Sequence, residues 1–380
     1  MSKPLTYAMI GGGTGAFIGE VHRKAIALDN SATLVAGALS STPERSVESA
    51  KQLGLPEERA YTSYTQLLES ESARPDKPDF IVIVTPNDTH YPIAKSALEH
   101  GFHVVLDKPA THTSEQAQEL QGLAQSNGLL CCMTYNYTGY PMVRQARAML
   151  ASGELGPIRK AFVEYHQGWL ATDLESTGQK QASWRVNPTK AGLAGALGDI
   201  GTHAENLLAF ITNLEPQSVY ANLKTFVPNR ALDDDASVMI NYATGAHAVL
   251  TASQICIGKG NALTIRIHAE QGSIEWNQES PDQLIVTKLD ANPITYTRGG
   301  PDLHQDAQIS ARIPQGHPEG YLEAFANIYR GVAEHIHAQR SDTEPTRLAQ
   351  LIPTIKAGKQ GVRFVEACVE SSKMNSVVDL

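Results

Sequence analysis

The sequence is poor in cysteine and has no long apolar run. Its 380 residues include four cysteines, with no Cys-x-x-Cys pair and no histidines at metal-ligand spacing among them. We interpret them as reduced thiols of a cytoplasmic protein, and the sequence predicts no metal site. Because no stretch of about 18 apolar residues is present, it also predicts no membrane-spanning helix. The cysteines are Cys131, Cys132, Cys256 and Cys368.

An excess of positive charge is missing as well. The 31 basic and 40 acidic residues give a net charge of −9, which argues against nucleic acid or an anionic membrane surface as a partner. The first residues hold too short an apolar run for a secretory signal peptide. A chain of 380 residues exceeds one ordinary core, so the sequence predicts two domains.

An apolar strand followed by a glycine-rich turn is the first informative motif. Residues 5–10 read as a buried strand, residues 11–19 as the turn, and a helix to Leu28 follows. This order is typical of a dinucleotide site, because glycines allow the tight turn and N–H groups at the helix start bind a pyrophosphate. The turn therefore predicts NAD or NADP as cofactor.

Two registers of this turn remain open. Gly11, Gly13 and Ala16 fit G-x-G-x-x-A, whereas Gly11, Gly13 and Gly19 fit if residues 14–16 are an insertion. The predicted cofactor-binding residues here are Gly11, Gly13, Ala16, Phe17 and Ile18.

The end of the second strand, residues 33–39, carries no acidic residue. Many NAD-binding proteins place Asp or Glu there to bind the adenosine ribose. Here Ser40 and Ser41 follow, with Arg45 nearby, and these side chains suit the 2′-phosphate of NADP. Ser40 equally suits the cap of the helix that Pro43 begins, so the cofactor preference stays open.

Polar turns follow the next two strands. Residues 78–84 and 103–106 are apolar and β-branched, and they lead into turns containing Thr85, Asn87 and His90 and then Asp107-Lys108-Pro109. Carboxyl ends of parallel strands meet at one sheet edge, where open α/β sheets bind ligands. Burying the ammonium of Lys108 at the end of such a strand costs free energy unless the group is paired. This cost favours a functional role for Lys108 over the alternative of an exposed lysine in a loop.

The stretch 191–211 combines glycines with an acid and a histidine four residues apart. If it is a helix, Asp199 and His203 lie on one face, where the carboxylate orients the imidazole for proton transfer. An ordinary helix start with a capping Asp is the alternative. The acidic turn at 233–235 is interpreted as solvated.

From residue 130 the sequence changes to β-branched runs separated by Gly, Asn and Asp. Seven runs between residues 158 and 289 predict an antiparallel sheet with helices on one face. We therefore predict an α/β Rossmann domain with a doubly wound parallel sheet over 1–130. An α+β domain with a large, mostly antiparallel open sheet is predicted over 131–380, its free face suited to a second subunit.

The order of these motifs resembles the glucose–fructose oxidoreductase/inositol dehydrogenase (Gfo/Idh/MocA) family. The resemblance covers about residues 5–210 and rests on Gly19-Glu20-Val21-His22, Thr85-Pro86-Asn87 with His90, Asp107-Lys108-Pro109, Tyr135-Asn136-Tyr137, Gly153-Glu154-Leu155-Gly156 and Gly198-Asp199-Ile200-Gly201-Thr202-His203. It implies an NAD(P)-dependent dehydrogenase, commonly a homodimer or homotetramer.

The resemblance also implies residue roles. Lys108 would be catalytic with a cis bond to Pro109, and Asp199 and His203 would match the family's acid–histidine pair. The implied cofactor contacts in this part of the chain are Thr85, Asn87, His90, Asp107 and Lys108. Two departures are Asp107, where the family has Glu, and Asn206, where it often has an acid.

The residue types suit oxidation of a secondary hydroxyl of a sugar, anhydrosugar or cyclitol. His203 is the candidate base and Lys108 the cation that stabilises the developing alkoxide, although the two roles remain interchangeable. A tightly bound NAD that serves a hydrolase or epimerase, and a non-catalytic regulator, are the alternatives. The predicted substrate residues are Lys108, Asn136, Tyr137, Trp184, Arg185, Asp199, His203 and His317.

Overall fold

The computed structural model describes residues 4–380. The strands are β1 Leu5–Gly11, β2 Ala32–Ala38, β3 Phe80–Val84, β4 His103–Leu106, β5 Cys131–Met133, β6 Ile158–His166, β7 Pro216–Lys224, β8 Asp235–Tyr242, β9 His247–Ser253, β10 Ala262–Ala269, β11 Gly272–Asn277, β12 Gln283–Lys288, β13 Ile294–Thr297 and β14 Val378–Asp379. The helices are α1 Phe17–Leu28, α2 Pro43–Gln52, α3 Tyr64–Ser72, α4 His90–Glu99, α5 Ser114–Ser126, α6 Pro141–Ala151, α7 Lys180–Arg185, α8 Pro188–Ala191, α9 Thr202–Thr212, α10 Gln305–Gln308, α11 Tyr321–Arg340, α12 Arg347–Gln350 and α13 Ile355–Met374. A π-helical turn, Leu197–Gly201, directly precedes α9.

The first sheet is parallel throughout, with the strand order β2-β1-β3-β4-β5. Every residue of β3 is buried, which explains its uninterrupted apolar sequence. The carboxyl ends of β1, β3 and β4 lie side by side, so the glycine turn and the two polar turns share one edge. This confirms the predicted doubly wound parallel sheet.

Contacts divide the chain into two compact units. One comprises Met1–Asn136 with Tyr321–Lys359, and the other comprises Tyr137–Gly320 with Gln360–Leu380. Helix α11 packs with the first unit, because Phe325 and Tyr329 join Met9 and Val82 in its buried core. This contact pattern differs from a single division at residue 130, and the domain boundary itself stays a prediction.

The second sheet has nine strands in the order β13-β12-β11-β10-β6-β9-β8-β7-β14. All neighbours are antiparallel except β6 and β9, which confirms the predicted mostly antiparallel sheet. Strands β13 and β14 were not among the predicted runs, because one is largely exposed and the other has only two residues. In β8 the apolar Ala236, Val238 and Ile240 are buried in alternation with exposed residues.

The prediction of a solvated acidic turn at 233–235 is wrong for two of its residues. Asp233 and Asp234 are 9% and 2% exposed, and both accept hydrogen bonds from backbone N–H groups. A buried carboxylate is tolerated where such donors surround it, and the sequence pattern does not reveal those donors. Within residues 4–380, no helix is long and apolar enough to cross a membrane.

Candidate functional site

The glycine turn packs directly against the start of α1. A Cβ added to Gly19 would lie 2.4 Å from the Cα of Gly12, and one added to Gly13 would lie 2.7 Å from the carbonyl oxygen of Leu39. Only glycine fits such contacts. The packing therefore favours the register in which Gly19 is the third glycine of the motif.

The same turn fits the pyrophosphate of a dinucleotide. Helix α1 begins at Phe17, and its N-cap residue, Ala16, offers no side-chain acceptor to the first-turn N–H groups. Those N–H groups and the positive end of the helix dipole favour an anion. The predicted contacts through Phe17 and Ile18 thus lie where a phosphate is stabilised.

The end of β2 presents hydroxyls and a guanidinium. The Ser40 hydroxyl accepts a hydrogen bond from the Thr42 N–H at 3.1 Å, while Ser41 and Arg45 are exposed. Thr42, rather than Ser40, is the N-cap of α2. The ribose end of a dinucleotide would therefore meet polar side chains that carry no negative charge.

His90 connects the two polar turns. It is 1% exposed, with Nδ1 2.8 Å from the Pro109 carbonyl oxygen and Nε2 2.9 Å from that of Thr85. With both ring nitrogens at carbonyl oxygens, the imidazole joins the two turns, and its cofactor contact stays a prediction. The sequence motif indicated the residue but not these two partners, because they lie on two separate turns.

Lys108 lies in a turn that its neighbour shapes. The Lys108–Pro109 peptide is cis, in agreement with the prediction. The Asp107 Oδ1 accepts hydrogen bonds from the Lys108 N–H at 2.8 Å and from the Thr134 hydroxyl at 2.7 Å. The half-buried lysine is thereby held at the ligand-binding edge of the first sheet.

Asn136 and Asn87 also lie in the first unit and are largely buried. Asn136 is 1% exposed, and its amide Nδ2 has no hydrogen-bond partner among residues 4–380. A buried donor without an acceptor is uncommon and suits a ligand contact. Thr85 accepts a hydrogen bond from the Thr89 hydroxyl at 2.7 Å, which shapes the turn containing Asn87.

In the second unit, Asp199 lies in a π-helical turn and His203 in the α-helix that follows. The condition that this stretch is an α-helix therefore does not hold over residues 197–201, which form the π-helical turn. π-Helical turns inside helices are rare and occur frequently at functional sites. The Asp199 Oδ2 accepts hydrogen bonds from the Arg185 Nε at 2.8 Å and the Gln254 Nε2 at 2.9 Å.

Arg185, the partner of Asp199, also contacts two tryptophan rings and a glutamine side chain. Its guanidinium carbon lies 4.3 Å from the Trp184 ring centroid and 5.6 Å from that of Trp169. Its Nη1 also donates to the side-chain oxygen of Gln181 at 2.7 Å. The sequence leaves open a substrate contact or a surface ion pair, and the structure shows a half-buried pair with a predicted catalytic residue.

Two tyrosines pack around the His203 ring. Its centroid lies 4.9 Å from that of Tyr137 and 6.2 Å from that of Tyr165. The two phenol groups hydrogen-bond each other, and Asn261 bonds to both. Burial raises the pKa of Tyr137, so its hydroxyl remains protonated. Tyr137 packs against the His203 ring and bonds to Tyr165 and Asn261, and its contact with substrate stays a prediction.

His317 lies on an exposed loop that a buried arginine anchors. Arg298 is 1% exposed and donates to the carbonyl oxygens of Ile313 and His317 and to the carboxylate of Glu319. His317 itself is exposed, and its substrate contact stays a prediction. No group of three or more His, Cys, Asp or Glu side chains is placed to hold a metal ion within residues 4–380.

Sequence reasoning missed several residues that shape this site. Tyr165 lies near the end of β6, and Gln254 directly follows β9, where its polar side chain interrupts a largely apolar run. That interruption is the sequence feature that could have indicated Gln254. No sequence pattern indicates the role of Asp233, because its hydrogen-bond partners are distant in sequence. The missed residues are Trp169, Tyr165, Gln181, Asp233, Gln254 and Asn261.

Glu205, two residues after His203, is buried and has an unusual proton affinity. Burial raises its pKa from the usual 4.5 to about 7, while the Gln360 Nε2 donates to its Oε1 at 3.0 Å. Between these two values the unfolded chain releases the proton and the folded chain keeps it, so the free energy of unfolding falls as pH rises.

We expect Glu205→Gln to be more stable than the wild type by about 1–3 kcal/mol at pH 8 and by much less at pH 5. Urea unfolding at both pH values measures this difference. Glu275→Gln, at an exposed position of β11, is the control and should show no such difference. Equal stabilities of the Glu205 variant and the wild type at pH 8 would contradict the prediction.

Family models match both parts of the chain. Residues 5–135 match the model described as an oxidoreductase family with an NAD-binding Rossmann fold, and residues 143–275 match the GFO/IDH/MocA C-terminal domain. The chain therefore belongs to the GFO/IDH/MocA oxidoreductase family. Its first unit is an NAD-binding Rossmann domain, as the glycine turn predicts.

Named relatives extend over nearly the whole chain. The uncharacterized oxidoreductase YfiI of Bacillus subtilis is 36% identical, covering 99% of this chain and 97% of that protein. An inositol dehydrogenase homolog from Azotobacter vinelandii, solved with NAD+, is 38% identical with a TM-score of 0.95, covering 100% and 98%. The levoglucosan dehydrogenase of Pseudarthrobacter phenanthrenivorans is 29% identical, covering 99% and 98%.

Proposed function

We propose that this protein oxidises one secondary hydroxyl of a sugar, an anhydrosugar or a cyclitol with NAD as the hydride acceptor. The ion pair between Asp199 and Arg185 carries this proposal. The pair adds hydrogen-bonding groups without a net charge of its own, because Asp199 neutralises Arg185, and this suits an uncharged polyol better than an anionic substrate. The inositol and levoglucosan enzymes among the relatives support the same substrate class.

His203 and Lys108 divide the handling of the proton. When bound, the nicotinamide accepts the hydride from the carbinol carbon. The imidazole of His203 takes the proton of the substrate hydroxyl, and its ring is kept in place by Tyr137 and Tyr165. The ammonium Nζ of Lys108 donates a hydrogen bond to the same oxygen and stabilises the developing alkoxide.

Asp199 contributes through its hydrogen bonds. One carboxylate oxygen is engaged by Arg185 and Gln254, which fix the orientation of the group. A carboxylate held in this way accepts hydrogen bonds from neighbouring hydroxyls of a polyol at low entropic cost. Its role is therefore to orient the substrate ring.

Reduction of NAD and of NADP across a panel of hexoses, anhydrosugars, glycosides and inositols tests the proposal. We expect turnover with uncharged polyols and little with sugar phosphates, and a preference for NAD because related structures were solved with NAD+ and NADH. Turnover only with phosphorylated sugars would overturn the proposed substrate class. Cofactor that stays bound through purification, without release of NADH on any substrate, would overturn the dehydrogenase reaction in favour of a redox-assisted hydrolase or epimerase.

We also propose that the open face of the nine-stranded sheet pairs with a second copy of the chain. The face includes Met239, which is 53% exposed, and Ile285, which is 38% exposed. Apolar side chains on a broad sheet face favour association. Light scattering should give a mass of twice or four times the 41.0 kDa of the chain, and a monomeric mass would contradict the proposal.

A further inference from the structure

Asp233, in the second unit, accepts hydrogen bonds from three consecutive backbone N–H groups just before the π-helical turn that contains Asp199. The two carboxylate oxygens of Asp233 accept from the N–H groups of Gly195 at 2.6 Å and Leu197 at 2.8 Å. Its carbonyl oxygen accepts from the N–H of Ala196 at 2.9 Å. The segment 195–197 is thereby fixed to the turn that precedes β8.

The approach of the two segments is close enough to require glycine. A Cβ added to Gly195 would lie 2.1 Å from the carbonyl oxygen of Asp233, well inside contact distance. The Asp199 N–H then donates to the Gly195 carbonyl oxygen at 2.9 Å, so the anchored residue begins the turn that holds the carboxylate. On the far side, a Cβ added to Gly201 would lie 2.8 Å from Leu197 and 3.3 Å from Ala252.

From this geometry we infer that Asp233 is a positioning residue of the reaction. It fixes the start of the π-helical turn and so sets the placement of the Asp199 carboxylate and the His203 imidazole. The inference rests on the proposed function, which assigns those two residues their roles. A displacement of about 1 Å at reacting groups lowers rates on the order of 100-fold. Loss of the hydrogen bonds that Asp233 makes to residues 195–197 should therefore lower kcat.

Asp234 offers a matched control one residue away. It is buried too, and its two oxygens accept from the N–H groups of Phe226 and Val227 at 2.8 and 2.9 Å. It also pairs with Arg230. Asp234 thus performs the same kind of capping, but on the turn after β7 instead of on the segment leading to Asp199.

The test compares Asp233→Asn, Asp233→Ala and Asp234→Asn at pH 8. Burial raises the pKa of Asp233 to about 6, so it is ionised at this pH and both of its oxygens act as acceptors. Hydrogen–deuterium exchange should speed up about tenfold over 195–203 in the Asp233 variants, and at 226–227 in Asp234→Asn.

The kinetic readout separates positioning from stability. We expect kcat to fall about tenfold or more in Asp233→Asn, and further in Asp233→Ala, because the amide keeps one acceptor oxygen and alanine keeps none. Asp234→Asn should keep kcat within about threefold even if it lowers the melting temperature equally. NADH affinity should be unchanged in all three, because the cofactor residues belong to the first unit.

Two results would overturn the inference. One is equal exchange over 195–203 in the Asp233 and Asp234 variants, and the other is unchanged kcat in Asp233→Ala despite faster exchange. A wild type that reduces neither NAD nor NADP with any polyol would instead refute the proposed function, and the exchange experiment would still decide whether Asp233 holds the segment.

Discussion

Lys108→Ala is expected to lower kcat by roughly 100-fold to 10,000-fold while the protein stays folded. The ammonium is the one cation that the proposed reaction places on the substrate oxygen, and alanine offers no charge or donor there. The turn itself should persist, because the Asp107 carboxylate bonds to the backbone N–H of residue 108 and to Thr134. Steady-state reduction of NAD with the best polyol of the panel measures the loss.

Lys51→Ala is the control for this prediction. Lys51 lies in the last turn of α2 in the same unit, is exposed, and has no part in the proposed site. Its variant should keep kcat within about twofold, as is usual for surface substitutions. If Lys108→Ala keeps more than a third of the wild-type kcat, Lys108 has no direct role in the chemical step.

Arg298→Met is expected to lower the free energy of unfolding by about 3–5 kcal/mol. The guanidinium is buried and pairs with Asp282 at 2.7 Å and with Glu319 at 3.0 Å. Without the arginine, the buried Glu319 carboxylate keeps backbone donors but loses its closest cation. The loop that includes His317 loses an anchor at the same time. Urea unfolding at pH 7.5 measures the change.

A surface ion pair of the same unit provides the comparison. Arg266 lies 3.4 Å from Glu164, with both side chains about 40% exposed, and Arg266→Met should change stability by less than about 1 kcal/mol. The double variant Arg298→Met/Glu319→Gln should recover part of the loss, since it removes the buried Glu319 charge and leaves only the partly exposed Asp282 without its arginine. If Arg298→Met and Arg266→Met lower the free energy of unfolding equally, the buried ion pairs of Arg298 stabilise the protein no more than the surface pair does.

The local motifs of the first unit could be predicted from the sequence. The glycine turn and the turn at Lys108 depend on residues that are adjacent in the chain, and the parallel sheet brings them to one edge. The register of the glycines could not be decided, because it depends on the contact between Gly19 and Gly12. Periodicity alone does not reveal how closely a helix approaches a turn.

The second unit shows where sequence reasoning stops. The roles of Asp233 and Arg298 depend on partners that lie from 15 to 38 residues away, and no spacing rule relates them. The π-helical turn at Asp199 has no sequence signature that separates it from an α-helix. Helix α11 is amphipathic whichever unit it packs with, so its place with the first sheet could not be derived from its pattern.

That placement of α11 has a consequence for how the protein is made. The ribosome completes the five strands of the first sheet early, but Phe325 and Tyr329, which cover part of that sheet, emerge only after residues 137–320. The nascent nucleotide-binding half therefore keeps apolar surface uncovered while eight of the nine strands of the second sheet are synthesised. Premature termination anywhere before residue 321 leaves both halves defective, and chaperones and proteases would act on such fragments.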